Sequence, residues 1–440
     1  MVESIEYHSK MFNFPMSFSN NSSRQHGSSV SDAGHHSVPF SFGSVNGRSE
    51  FCTPDEATLL DSGLLARISP ETIKFQLARM STTSSCGNDG IFVIMLRSLV
   101  NTSFIEHLCQ LYHACLRKGE TPKRWNEACI YPLYKDKKKP YTASNSCPIS
   151  LLCLFRKIFE FLILSTIRSS GNMTYSAIQA GFRSGYSTLT NVVTLHHLIE
   201  GDAGSHIVFL DFASAFDRVC WPFLRKKLEK PGINSLLLQL IYQLMYRDMT
   251  FSVIVNSSQS PMQVRTTGLS QGFPLSPTLF NRFVDSLLQT LNWQNASSFP
   301  SALFFADDGV LISPTLAKAQ SLLNQVFRWS VEHGMSFNIA KCGYLITYLA
   351  SKALVAIRPT LLLDSQSIPI VQSYKYLGVM FSSFGIDHLA QEEMLSQQAE
   401  RHLGAILWFS NTWSPRIRLN IMKSILLPTL EYSVPLIYPQ

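Results

Sequence analysis

Apolar positions three and four apart alternate along this chain with short continuous apolar runs, a pattern of helices and strands mixed throughout. Ser69-Pro70 reads as an N-cap followed by a first-turn proline, and Ile73 and Leu77 share one face of the helix it opens. Gly87 and Gly90 punctuate, and residues 91–116 are again helix-like. An apolar helix through residues 158–167, flanked by Arg156, Lys157 and Arg168, is expected to stop near Gly171. Residues 191–199 lead helically into His206-Ile207-Val208-Phe209-Leu210, a β-branched and aromatic run that reads as a buried strand delivering Asp211 to the rim of a sheet.

Further on, Trp221-Pro222 predicts a helix ending near Gly232, and Asn234 caps another carrying Leu237, Ile241, Leu244 and Met245. Residues 250–264 look like a hairpin. Ser276-Pro277 opens a helix with Phe280, Val284, Leu287 and Leu291 on one face. Ser313-Pro314 opens another, with Leu316, Leu323, Phe327 and Val331 along it and Gly334 at its end. Between these two helices, the run from Leu303 to Ile312 reads as a β-hairpin with two carboxylates at its tip, Asp308-Gly309 supplying the positive φ of a tight turn. Leu395, Ala399, Leu403 and Leu407, then Ile417, Ile421 and Ile425, mark the packing faces of later helices.

Composition sharpens this outline. With 440 residues and 45% apolar content, the chain can bury large cores in more than one subdomain. Residues 1–50 stand apart: rich in Ser, Asn, Gly and His, they are expected to be a disordered leader, with His35-His36 as ordinary solvated residues. The net charge of +7, from 37 basic and 30 acidic residues, allows a polyanionic partner without requiring one. The densest basic run, Lys135-Asp136-Lys137-Lys138-Lys139, is either a solvated loop or a contact to template or nucleotide phosphates. Nine cysteines lack zinc spacing or a disulfide framework, which points to a reduced intracellular compartment. No apolar run approaches the ~20 residues that span a bilayer, and Met1-Val2-Glu3 does not begin a signal peptide.

Two carboxylates about 4 Å apart repel by roughly 4 kcal/mol at an effective dielectric near 20, so Asp307 and Asp308 between buried strands need a cation. An isolated Asp-Asp-Gly turn is more often merely solvated. Asp211 changes the balance, because three acids converge if its strand lies beside the hairpin. Such an oxygen set suits magnesium, and two ions about 3.5–4 Å apart activate a 3′-hydroxyl and stabilise a leaving pyrophosphate. That chemistry is nucleotidyl transfer.

Several further blocks follow in order: Cys86-Gly87-Asn88-Asp89-Gly90, Pro148-Ile149-Ser150-Leu151-Leu152, Gln179-Ala180-Gly181-Phe182-Arg183 with Ser187-Thr188, and Asp211 to Asp217. Then come Gly268-Leu269-Ser270-Gln271-Gly272 with Pro274-Leu275-Ser276-Pro277, the hairpin acids, Asn338 with Lys341, and Tyr376-Leu377-Gly378. Together, from about residue 50 onward, the chain resembles the reverse transcriptases of LINE-type, non-LTR retrotransposons.

The resemblance implies an α+β right-hand polymerase: fingers over 51–205, a ferredoxin-like palm over 206–385 and the start of a helical thumb over 386–440. It implies RNA-directed DNA polymerase activity with two Mg2+ ions, for which Mn2+ can substitute. Asp211, Asp307 and Asp308 would hold the metals, and Lys341 would protonate pyrophosphate. Lys135, Arg183, Phe212, Phe216, Gln271 and Gly272 would meet the nucleotide or template, with Phe216 beneath the sugar. Asp217 could be structural, and Tyr376, Leu377 and Gly378 would grip the primer end. The implied partners are an RNA template, a DNA primer and deoxynucleoside triphosphates, with no membrane, a nuclear or cytoplasmic ribonucleoprotein setting, and an endonuclease supplied elsewhere.

One position departs from the family pattern. Where it usually reads Arg-Pro-Ile-Ser, this chain has Cys147-Pro148-Ile149-Ser150, losing a guanidinium that would fork two hydrogen bonds onto the triphosphate. The alternative reading is therefore a catalytically impaired remnant that only binds nucleic acid. A further rival, an RNA-directed RNA polymerase, is disfavoured by Phe216.

Overall fold

The computed structural model describes residues 65–134, 146–169, 175–201, 206–229, 233, 235–256, 258–291, 300–347, 359–408 and 413–432. The leader, Lys135, Gly171, Gly232 and Asn234 lie outside them. Helices and mostly antiparallel strands mix in an α+β arrangement, divided into two compact units.

The first unit gathers residues up to Asn172 with Leu228–Thr267. Its sheet centres on Glu127–Tyr134, antiparallel to Ser146–Leu151 and parallel to Thr250–Val255. The hairpin expected over 250–264 is present, since Thr250–Val255 turns back onto Ser258–Gln259 and Gln263–Val264. Helix Pro70–Arg79 starts as the sequence predicts, with Ser69 and Thr72 exchanging side-chain-to-backbone bonds at 3.3 and 2.9 Å. The stretch 91–116 is broken into Val93–Ser98 and Phe104–Lys118, where the Thr102 hydroxyl donates to the Leu99 carbonyl and competes with helical continuation.

Arg156 does not flank the apolar helix; it lies inside helix Leu154–Ser169 and is 0% exposed. A buried guanidinium is tolerable only with its donors satisfied. Here Glu160 lies 2.7 Å from its Nε, one Nη donates to the Trp125 carbonyl at 2.8 Å, and the other donates to the Leu244 carbonyl.

The second unit combines Met173–Lys227 with the chain from Gly268 onward. Its four-stranded antiparallel sheet runs in the order Ala302–Phe305, Asp308–Ser313, His206–Leu210, Gly343–Ile346. Val192, Leu195 and Ile199 of helix Thr188–Glu200 cover one face, packing on Ile207, Phe209, Val310 and Ile312. Helix Ser276–Thr290 buries Phe280, Val284 and Leu287, and Leu291 just beyond it, as their spacing predicts.

Helix Leu316–His333 differs from expectation. Ser313 is paired with His206 in the sheet, so the helix begins later, capped by Thr315 rather than Ser313. Its buried face is Ala319, Leu322, Leu323, Val326 and Trp329, leaving Val331 65% exposed. A small sheet, Ser373–Tyr376 with Val379–Ser382 and Gly385–Ile386, precedes helices His388–Trp408 and Pro415–Ile421. Of the faces expected there, Leu403, Leu407, Ile417 and Ile425 are exposed.

Candidate active site

Strand register assembles the acids. Leu210 pairs with Gly309, and Phe305 pairs with Asp308 across the hairpin. Asp211, one residue past Leu210, and Asp308, one before Gly309, therefore leave the same end of adjacent strands, with Asp307 in the connecting turn. The turn itself is Ala306-Asp307, with positive φ at Ala306 (57°), not at Asp308-Gly309 as the sequence suggested. Gly309 serves a different purpose. A β-carbon there would stand 2.6 Å from the Phe304 ring.

The carboxylates feel one another. Burial, then the charges of Asp307 and Asp211, push the Asp308 carboxyl up to about 6. Asp308 is nonetheless open to solvent, so the like charges are the firmer part of that shift. Burial and then Asp211 raise Asp307 as well, partly offset by its own backbone amide. Among the described residues no group of three or more His, Cys, Asp or Glu side chains is arranged as a metal cage. Asp211 thus raises the proton affinity of both hairpin acids, and Asp307 raises that of Asp308. Such an anionic, proton-seeking oxygen set is chemically suited to a hard divalent cation.

Behind the acids, residues 336–341 fold against 211–213. Ala213 donates to the Ser336 carbonyl at 2.9 Å, Asn338 donates to the Asp211 carbonyl at 2.8 Å, and Phe212 bridges to Phe337. Lys341 ends the short turn Ile339–Lys341, and its side chain is exposed. The Tyr374 hydroxyl donates to the Lys341 carbonyl at 2.9 Å while its ring stacks on Phe209 at 4.1 Å. Burial, then the charge of Asp211, holds that phenol's proton well above the usual range.

The expected nucleotide contacts divide. Phe216 is half-buried, stacked on Phe280 at 4.5 Å and edge-on to the exposed Phe182 at 6.2 Å. The loop of Gln271 and Gly272 is laced to it, because Leu269 donates to the Phe216 carbonyl at 2.7 Å. Gln271 is half-buried and Gly272 exposed with φ 105°. Phe212, by contrast, is a core ring against Phe337 and Trp329, which leaves only its main chain to face a ligand. Arg183 clasps its own loop: one Nη donates to the carbonyls of Gln179 and Ser176 at 2.7 and 2.9 Å, with the guanidinium over Tyr186. Asp217 is buried.

Tyr376 is buried too, with its hydroxyl accepting from Asn191 at 3.3 Å. Leu377 and Gly378 form the turn beyond it with φ of 47° and 86°, and the Leu377 carbonyl accepts from Tyr432 at 2.8 Å. Sequence reasoning missed Gln179. Its side-chain amide holds the Ala306 backbone from both sides, and the only sequence signal was its place at the head of a block containing Gly181.

Residues 136–381 match the family described as Reverse transcriptase (RNA-dependent DNA polymerase). Over 386 residues, 84% of this chain, it is 25% identical to the RNA-directed DNA polymerase from mobile element jockey of Drosophila melanogaster. It is 26% identical to the putative 115 kDa protein in type-1 retrotransposable element R1DM of the same species over 82% of the chain. Identity to a probable RNA-directed DNA polymerase from transposon BS, again from that fly, is 32% over 49% of the chain. The chain spans 41%, 35% and 24% of these relatives' lengths.

Proposed function

Because this chain belongs to the reverse transcriptase (RNA-dependent DNA polymerase) family, we propose that it extends a DNA primer on an RNA template, with Asp211, Asp307 and Asp308 at the reacting centre. The observation that carries this reading is the register that sends Asp211 and Asp308 out of one sheet end beside Asp307. The antiparallel sheet backed by helices is read as the palm of a right hand over 206–385, with fingers over 51–205 and thumb from 386.

The primer 3′-oxygen attacks the α-phosphorus of a deoxynucleoside triphosphate, the bond to the β-phosphate oxygen breaks, and pyrophosphate leaves. Asp211, Asp307 and Asp308 would hold two Mg2+ ions, which lower the pKa of the 3′-hydroxyl and neutralise the departing charge when bound. The chain's own residues do the rest. Lys341, whose turn is tied to the Asp211 carbonyl, supplies a proton to pyrophosphate. The Phe216 ring, backed by Phe280, excludes a 2′-hydroxyl, and Gln271 with Gly272 lines the adjoining wall. The main chain of Phe212 faces the triphosphate. The Leu377-Gly378 turn, with Tyr376 buried beneath it, bears on the primer end. Arg183 shapes its loop against the template. The setting is a ribonucleoprotein, and no helix among the described residues is long and apolar enough to cross a membrane.

Extension of a DNA primer on an RNA template by the 440-residue chain, with magnesium or manganese, tests this. Template-directed product that vanishes in Asp307→Asn is expected; equal product from both would overturn it. Cys147 favours the second reading, a chain that binds primer-template without extending it, for which binding persists and extension is undetectable even with manganese.

A further inference from the structure

We propose that Gln179 is the positioning residue that fixes the hairpin carrying Asp307 and Asp308, its buried carboxamide gripping both backbone groups of Ala306. The proposal rests on the reading of those acids as the polymerase centre.

An alanine in the left-handed region is unfavourable, because its β-carbon crowds the following carbonyl. Ala306 adopts φ 57° without glycine's freedom, immediately before the first acid of the pair. Something must hold it there. Gln179 is 0% exposed, and its Oε1 accepts from the Ala306 amide at 2.8 Å. The same oxygen accepts from the Gly181 amide at 2.9 Å, while Nε2 donates to the Ala306 carbonyl at 3.2 Å. The side chain therefore treats the turn residue as a neighbouring strand would, at the one place in the hairpin where no strand can.

The grip is itself anchored. Phe304 donates to the Ile178 carbonyl at 2.7 Å and accepts from Ala180 at 2.9 Å, so residues 178–180 form a splint on the outer arm of the hairpin. Gly181 brings this splint against the turn, since a β-carbon there would collide with the Ala306 nitrogen. Asn281 donates to the Gly181 carbonyl at 2.6 Å, pinning the splint to helix Ser276–Thr290. A rotation at Ala306 swings Asp307 away from Asp308 and Asp211. Misplacement of a reacting group by about 1 Å can lower a rate about a hundredfold.

The test compares Gln179→Met, which removes both grips, and Gln179→Glu, which keeps the length and acceptors but not the donor. Three quantities are read: hydrogen exchange at the Ala306 amide in the metal-free chain, Mn2+ binding followed by its paramagnetic resonance signal, and primer extension. In Gln179→Met, exchange at Ala306 should rise while helix 316–333 keeps wild-type protection. Mn2+ affinity and kcat should each fall about tenfold to a hundredfold, with KM for the nucleotide little changed. Gln179→Glu should fall between that variant and wild type in exchange.

Unchanged exchange and Mn2+ affinity in a folded Gln179→Met would overturn the proposal. So would loss of protection throughout the chain in both variants, which assigns Gln179 to general stability. If wild type itself extends no primer but the exchange and Mn2+ differences appear, the polymerase reading fails and the positioning role stands.

Discussion

The amide of Asn338 donates to the carbonyl of Asp211 at 2.8 Å, tying the turn that bears Lys341 to the strand that bears the first carboxylate. The Tyr374 hydroxyl holds the Lys341 carbonyl from the other side, so the backbone is fixed while the ammonium stays exposed. A positioned proton donor commonly accelerates a step by about 10²–10⁴. Lys341→Ala should therefore lower kcat for primer extension at least about a hundredfold with KM for the nucleotide nearly unchanged. Single-turnover extension is the measurement, and an unaltered rate would remove Lys341 from the chemistry.

Asp307→Asn should abolish extension while leaving the metal-free unfolding temperature unchanged or raised, because it removes one charge from a repelling set. Calorimetry in chelator together with an extension assay reads both effects. Full activity in this variant would end the assignment of Asp307 as a metal ligand.

Asp308 gives a pH signature. Its carboxyl titrates at about 6 in the folded chain, against roughly 3.9 unfolded. The folded state keeps the proton longer, so this residue's contribution to stability is present below about pH 4 and is lost as pH rises through 6. In chelator, Asp308→Asn should gain unfolding temperature relative to wild type as pH rises across that window. A constant difference from acid to neutral pH would contradict the shift.

Phe216→Val opens the space in front of Phe280. Excluding one group sterically is commonly worth about 1–3 kcal/mol, so ribonucleotide use relative to deoxyribonucleotide should rise by roughly tenfold or more. Side-by-side incorporation with both nucleotide classes decides it. Wild-type indifference to the sugar would return the RNA polymerase reading.

Cys147 is half-buried opposite Leu133 in the sheet of the first unit. If it stands where a triphosphate-binding arginine belongs, Cys147→Arg should lower KM for the nucleotide about tenfold to a hundredfold, the worth of a charge-assisted contact. Steady-state extension over a nucleotide titration checks this, and an unchanged KM would place residue 147 away from the triphosphate.

Arg156→Met should destabilise strongly, by about 3–5 kcal/mol, because Glu160 is left charged and buried. Arg156→Met with Glu160→Leu should cost less than Arg156→Met alone. Denaturant unfolding of the single and double variants is the check; simple additivity would mean the two side chains do not act as a pair.

Much of this was legible in sequence, for identifiable reasons. The His206–Leu210 strand, the Ser69-Pro70 helix start and the buried face of helix Ser276–Thr290 follow from local pattern and capping alone. The hairpin turn was misplaced because Asp-Gly normally outcompetes Ala-Asp for positive φ, and the element that reverses the preference, Gln179, lies 127 residues away. Arg156 was misread for the same kind of reason. A charged residue at the start of an apolar run looks like a solvated flank until Trp125 and Leu244 bring their carbonyls to it. The ring of Phe212 in the core and the guanidinium of Arg183 on its own loop's carbonyls were likewise not legible, since a motif fixes where the main chain goes more firmly than what each side chain touches.

The guanidinium of Arg156 also sets a timetable for the growing polypeptide. Its partner at Leu244 is 88 residues further along, beyond the His206–Leu210 strand. At roughly 5–20 residues added per second, that carbonyl reaches the ribosome's catalytic centre on the order of ten seconds after Arg156 does. Until then the first unit is an unfinished sheet and helix around a guanidinium that has Glu160 and Trp125 but not yet the Leu244 carbonyl.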